Sequence, residues 1–263
     1  MKKLSLLLLI ISLFLGWGCS SSPEGGVTEQ SIESAEGDKV LLRLKPKVGD
    51  SQKTMMSMDM TSGGQQPISM NMVMAMDLKV TGINESIYDY EIKYNSIQMD
   101  MDAGGMEMSY DSNNQEQTGM GQVMHDQMKS LLEKPMTMKM TDRGKVYDFE
   151  IPGLKGNQQL DLGAISIPMP EDPVGVGDSW SGERPIEGAG TMKMTMTVSK
   201  ITVDDITIAT KGTIEGTGGE LAGDFTGEYK LARSNGFTKD GTVNINLSAQ
   251  GQPIQMRINF KSL

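Results

Sequence analysis

Residues 68–80 read Ile-Ser-Met-Asn-Met-Val-Met-Ala-Met-Asp-Leu-Lys-Val. Every second residue is large and apolar: Ile68, Met70, Met72, Met74, Met76, Leu78 and Val80. The positions between are small or polar, with Val73 the exception. Successive side chains of an extended strand point to opposite sides, so this stretch predicts a long β-strand with one dry face and one wet face. Just upstream, Met56, Met58 and Met60 repeat the same phase, and Ser62-Gly63-Gly64-Gln65 supplies the turn. The two stretches predict a hairpin whose shared face is lined by thioethers.

The pattern continues outward in both directions. Val40, Leu42 and Leu44 predict a first strand. Tyr88, Tyr90, Ile92 and Tyr94 alternate, after which the phase slips by one residue to Ile97, Met99 and Met101. Such a slip predicts a β-bulge near Asn95-Ser96. Short strands are predicted at residues 106–110, 136–140 and 146–151. Met192, Met194, Met196 and Val198 mark a long strand over residues 191–203. Four more strands follow at 206–214, 225–231, 242–247 and 254–260.

One segment changes period. Met120, Val123, Met124, Met128, Leu131 and Leu132 fall at helical spacing between Gly119 and Lys134. Thr118 is placed to cap this amphipathic helix and Pro135 to stop it. Residues 152–177 are rich in Pro and Gly and predict a connection between two halves, about 39–151 and 178–263. A short helix within that connection is expected over Leu154–Leu162.

A dozen strands with single dry faces and one helix predict a mainly β fold. The expected architecture is a large antiparallel curved sheet, as a half-barrel or barrel, with the amphipathic helix packed on it. A flat sheet would leave the apolar face wet. A β-sandwich is the alternative.

Composition narrows the function classes. The formal charge is -10, which disfavours nucleic acid and anionic membrane surfaces as partners. The single cysteine, Cys19, excludes an internal disulfide. With His125 the only histidine, a Ser–His pair or a multi-histidine metal site lacks its material. The paired acids Asp100/Asp102, Glu171/Asp172 and Asp204/Asp205 lack calcium-loop spacing and read as turns or wet faces. The expectation is a protein that is not an enzyme and carries no cofactor.

The N-terminus reads as an address. Met1-Lys2-Lys3 is basic, residues 4–15 are apolar apart from Ser5 and Ser12, and Gly16-Trp17-Gly18-Cys19 follows. The run is too short for a membrane span and fits a leader peptide. Cys19 behind small residues resembles the lipobox of bacterial lipoproteins. The resemblance implies cleavage after residue 18, acylation of Cys19 by palmitate-type chains, and anchoring in the cell envelope at the outer membrane. Residues 19–38, rich in Ser, Gly and Glu, predict a flexible tether, and 39–263 a single domain.

Two chemistries suit the Met stripes. Flexible thioether side chains adapt to varied apolar shapes, so Met56, Met58, Met60, Met70, Met72, Met74, Met76, Met192, Met194 and Met196 form a candidate face for a lipid or other hydrophobic small molecule. Thioethers also favour Cu(I), for which Met58, Met70 and Met72, with His125 as a further ligand, are the alternative candidates.

With its Met-rich strand pair, the turn Asp142-Arg143-Gly144-Lys145 and the segment Val176-Gly177-Asp178-Ser179-Trp180, the chain resembles an uncharacterised family of bacterial lipoproteins. That resemblance implies no particular activity. More distantly, the expected architecture is similar to the half-barrels of periplasmic lipoprotein carriers, which hold acyl chains on a concave apolar face.

Overall fold

A computed structural model describes residues 39–263 apart from 65, 115, 117, 153–168, 187–189, 217–220 and 250. Cys19, the tether and the expected helix over Leu154–Leu162 lie outside the described residues. The strands are β1 Ser51–Ser62, β2 Ile68–Asn84, β3 Ile87–Ala103, β4 Glu107–Asp111, β5 Met136–Thr141, β6 Val146–Glu150, β7 Ser179–Ile186, β8 Gly190–Ile201, β9 Asp205–Glu215, β10 Leu221–Ala232, β11 Thr238–Ala249 and β12 Gln252–Ser262. One helix, α1 Met120–Glu133, stands between β4 and β5.

All of these strands belong to one antiparallel sheet, in the order β6-β5-β3-β2-β1-β12-β11-β10-β9-β8-β7, with β4 beside β3. The chain builds outward from β1 to the β6 edge. It restarts at the β7 edge and returns inward, so the first and last strands meet in the middle. The sheet is open, which rules out the closed barrel, and it is continuous across both halves, which rules out the sandwich.

The sheet is strongly curled. Tyr90 of β3 and Phe237, in the turn joining β10 to β11, have ring centroids 6.5 Å apart. In a flat sheet β3 and β11, with β2, β1 and β12 between them, would lie about 19 Å apart at about 4.8 Å per strand. Glycines on the concave face help the bend. A Cβ on Gly241 would come within 2.7 Å of the Tyr229 ring on β10, so the ring lies where a side chain would otherwise stand.

The slip in β3 is a bulge as expected: Ala75 pairs with Ser96 and Met76 with Tyr94, leaving Asn95 without an opposite residue. The convex face is polar and cross-linked by side chains. Asn71 donates to Asp59 (2.6 Å), Ser109 to Asp100 (2.7 Å), and Asn259 to Ser57 (3.2 Å).

Helix α1 forms where its period predicted it. Thr118 does not cap it by its side chain; Gly119, at φ 58°, is the N-cap residue. None of the helix residues is fully buried. Met124, Met128, Leu131 and Leu132 are half-buried against the concave face, and α1 touches β3 and β4. It rests on the sheet as a cover rather than a core element.

The expected first strand at Val40–Leu44 is corrected. Its alternation is real, since Val40, Leu42 and Leu44 are buried, but its backbone bonds go to connecting segments rather than to a sheet neighbour. Val40 and Val174 exchange hydrogen bonds of 2.8 and 2.9 Å just before β7. Leu44 N–H reaches the Asp142 carbonyl in the β5–β6 turn at 2.7 Å, and Lys45 N–H the Asn235 carbonyl at 2.9 Å. Arg43 donates to the carbonyls of Pro170 and Glu171 at 2.6 and 2.9 Å. Residues 39–45 are thus a strap across one end of the roll, tied near both sheet edges.

Three tyrosines make the fold sensitive to alkali. Burial pushes the phenols of Tyr90, Tyr94 and Tyr229 well above their ordinary value. The unfolded chain gives up these protons near about pH 10 while the folded chain keeps them. Their contribution to stability is complete below that pH and is lost as pH rises through the raised folded values. In an alkaline titration, part of the tyrosinate absorbance is expected to appear only together with loss of the β-sheet circular dichroism. Ionisation of all six tyrosines with the sheet intact would contradict the burial.

Candidate functional site

The concave face is a set of cross-strand rows. In one, Met101, Met70, Met60, Met256 and Ile245 stand opposite one another across β3, β2, β1, β12 and β11. In the next, Tyr110, Met99, Met72, Met58, Ile258 and Val243 do the same from β4 to β11. Met56 faces Met74 in a third. Each residue in a row is within reach of the next, so the apolar phases of the strands merge into one surface.

All ten methionines expected on a ligand face lie on this side. Met56, Met58, Met60, Met70, Met72, Met74, Met192 and Met194 are buried, while Met76 and Met196 are half-buried; all ten belong to or pack on one apolar cluster. The structure gathers those of β1 and β2 together with Met99, Met101 and Met256, which follow from the same alternation. It does not bring Met192, Met194 and Met196 beside them in the sheet. Strands β9 to β12 intervene, with Met256 of β12, Tyr229, Thr210 and otherwise Ile, Leu, Val, Phe and Gly on the concave side. The face is not an open trough: its thioethers pack on neighbouring side chains.

Met58 and Met72 are opposite each other, and Met70 is opposite Met60. Among the described residues, the buried polar or charged side chains are Asp178, Thr207 and Thr210. A cation at Met58, Met70 and Met72 would therefore sit deep in apolar surroundings without a buried carboxylate in the same row. His125 is half-buried on α1, its Nδ1 3.4 Å from the Tyr110 hydroxyl. Desolvation, and secondarily the charge of Asp111, raises the Tyr110 pKa.

The acid pairs have structural partners. Asp102 accepts the Gly105 N–H at 2.7 Å. Asp205 lies 2.7 Å from the Lys239 ammonium, and that hydrogen bond raises the lysine pKa. Glu171 pairs with Arg143 at 2.5 Å.

Two features escaped the sequence. The first is Asp178, fully buried in the Val176–Trp180 segment. One carboxylate oxygen accepts the Gly175 N–H at 2.9 Å, with the Lys39 ammonium 3.8 Å away. The strap is thereby tied to the start of β7. The second is a set of buried side-chain atoms without hydrogen-bond partners among the described residues: Asp77 Oδ1, Tyr90 Oη, Asp178 Oδ1, Trp180 Nε1 and Thr210 Oγ1. Trp180 is opposite Met196, and Met196 is opposite Thr210, so all three share one concave row. An unsatisfied buried donor costs about 1–3 kcal/mol. Thr210 interrupts the apolar phase Ile206, Ile208, Ile214 on β9, and that interruption was the available signal.

Two clefts open at the strap end. One, of about 260 Å³, is lined by Lys39, Arg43, Lys45 and Arg233 over Leu42 and Met169. The other, of about 610 Å³, lies by Gln52, Val203 and Phe237. Neither is lined by the ten methionines.

Residues 85–151 match a protein family described as a family of unknown function (DUF6263). The match takes in β3, β4, α1, β5, β6 and the Asp142–Lys145 turn, and stops short of Trp180. No curated protein sequence matches the chain. Among solved structures, one on lipid–protein interactions in lipovitellin is similar in fold, with a TM-score of 0.54 and 11% identity over 82% of this chain. This chain spans about a quarter (25%) of the lipovitellin chain. An outer membrane channel from Pseudomonas putida F1 aligns over 84% of this chain and 97% of its own at 6% identity, with a TM-score of only 0.27.

Proposed function

We propose that this is a lipid-anchored protein of the bacterial cell envelope that holds a lipid-type hydrophobic ligand on its concave face. The observation that carries the reading is the thioether-rich surface on the inside of an open, curled sheet, covered over β3 and β4 by a helix with no fully buried residue. Unbranched thioethers rearrange at little energetic penalty, so the face can exchange its own side-chain contacts for those of an acyl chain. Helix α1, held by half-buried side chains alone, is the element that lifts to admit it. The lipovitellin likeness supports the reading through the lipid contacts named for that protein.

Anchoring rests on Cys19 behind its small-residue stretch. Two acyl chains on one cysteine suffice for stable membrane attachment. Metabolic labelling with an alkyne-tagged palmitate is expected to mark the full chain and to leave Cys19→Ala unmarked. Labelling of Cys19→Ala would sink the anchor.

The ligand reading is tested by native mass spectrometry of the full chain, followed by denaturation. A lipid mass that survives gentle desolvation but leaves on unfolding is expected, distinct from the covalent acyl groups. A chain that carries only its covalent lipid and takes up no added acyl ester would refute the binding role.

A further inference from the structure

The geometry points to a polar anchor inside the apolar face: the Trp180 indole N–H and the Thr210 hydroxyl together hold the ester or carboxyl oxygen of an acyl ligand above Met196. This rests on the ligand reading above and names the class of molecule, an acyl chain with a hydrogen-bond acceptor at one end rather than a bare hydrocarbon.

The two groups are buried, Trp180 at 8% exposure and Thr210 at 4%, yet neither Nε1 nor Oγ1 has a hydrogen-bond partner. Buried polar atoms are nearly always satisfied, so an unpartnered one calls for a physical account, of which a docked partner is one. Of the five such atoms among the described residues, these two share one row of the face. They flank Met196, one of the half-buried methionines of the face, so the row has a polar group on each side of a partly accessible thioether.

Spacing suits one head group. Adjacent strands lie about 4.8 Å apart, so β7 and β9 are about 10 Å apart at the backbone. The indole and the hydroxyl extend from the same side of the sheet on either side of Met196, so a head group that meets both lies over that thioether. The indole N–H is only a donor, whereas the hydroxyl donates or accepts. A carbonyl oxygen satisfies the indole, and the neighbouring oxygen of the same head group satisfies the hydroxyl. A saturated hydrocarbon satisfies neither.

From there the tail has an apolar path. Thr210 is followed along β9 by Gly212, opposite Phe225 and Met194, and then by Ile214, opposite Met192. The acyl chain runs over this wall while its polar end stays at the Trp180–Thr210 row.

The test compares two probes of equal chain length, methyl palmitate and hexadecane, by displacement of a fluorescent fatty ester from the full chain held in amphipol. Wild type is expected to prefer the ester. Trp180→Phe and Thr210→Val, each of which keeps shape and removes one polar atom, are expected to weaken methyl palmitate about tenfold and to leave hexadecane within about twofold. Thr210→Ser retains the hydroxyl and is expected to bind both probes as wild type does. If the variants bind both probes like wild type, or if Thr210→Ser loses the ester as Thr210→Val does, the polar anchor is wrong while the apolar site stands. If wild type binds neither probe, both the anchor and the ligand reading fall.

Discussion

Met60→Asp is expected to remove about 6 kcal/mol of stability, enough to unfold a domain of ordinary stability, about 5–15 kcal/mol. Met60 is 1% exposed, among the most buried of the thioethers, and stands between Met70 and Met256. A carboxylate there has no cation or donor opposite it and must take up a proton to stay inside. Desolvation raises such a carboxyl by about 3–5 pKa units, at about 1.4 kcal/mol each. Met60→Leu, which keeps volume and polarity, is expected to change stability by less than about 1.5 kcal/mol. One residue earlier, Asp59 is exposed on the convex face and accepts a 2.6 Å bond from Asn71. Adjacent positions thus treat the same carboxylate in opposite ways. Urea unfolding followed by circular dichroism checks the contrast. A Met60→Asp midpoint close to wild type would mean that the face is wet and the register misassigned.

Gly212→Ala is expected to destabilise by about 3 kcal/mol, the upper range for overpacking a well-filled interior. Its new methyl group would fall on the Lys193 carbonyl oxygen and the Phe225 ring, the latter paired with Gly212 across β10. Moving the ring relieves only half of the conflict, because the carbonyl belongs to the β8 backbone. Gly105 supplies the comparison: it sits at φ +89° with nothing near its missing Cβ. Gly105→Ala should therefore lose only about 1–2 kcal/mol, through backbone conformation alone. Equal losses at the two sites would show that the concave wall has room to spare.

The regular parts of this fold were legible because each residue announces its own side of the sheet. Period two placed β1, β2, β8 and β10–β12, and the slip between Tyr94 and Ile97 placed a bulge near Asn95-Ser96, where the pairing leaves Asn95 as the extra residue. Helical spacing located α1. What stayed hidden depends on distant partners. The alternation of Val40, Leu42 and Leu44 is indistinguishable from a strand until Val174, Asp142 and Asn235 are seen to receive its backbone. Strand β7 was missed because Gly182 and Pro185 dilute its pattern. The meeting of β1 with β12, at the two ends of the domain, leaves no local trace. Of the site, the methionine face was readable from alternation alone, but its burial under neighbouring side chains and α1 was not. The unpartnered atoms of Trp180 and Thr210 emerge only when β7, β8 and β9 are laid side by side.

The strap at residues 39–45 also determines how the molecule bears load. Any tension arriving from the N-terminal side meets the Lys39–Asp178 contact first, then the paired bonds of Val40 with Val174, and only afterwards the grip on Arg43 and Leu44. These attachments yield one after another, like a zip opened from its end, so a modest pull frees the β7 side while the β5–β6 turn still holds. Tension applied ahead of Lys39 would therefore loosen one margin of the roll before it threatened the whole.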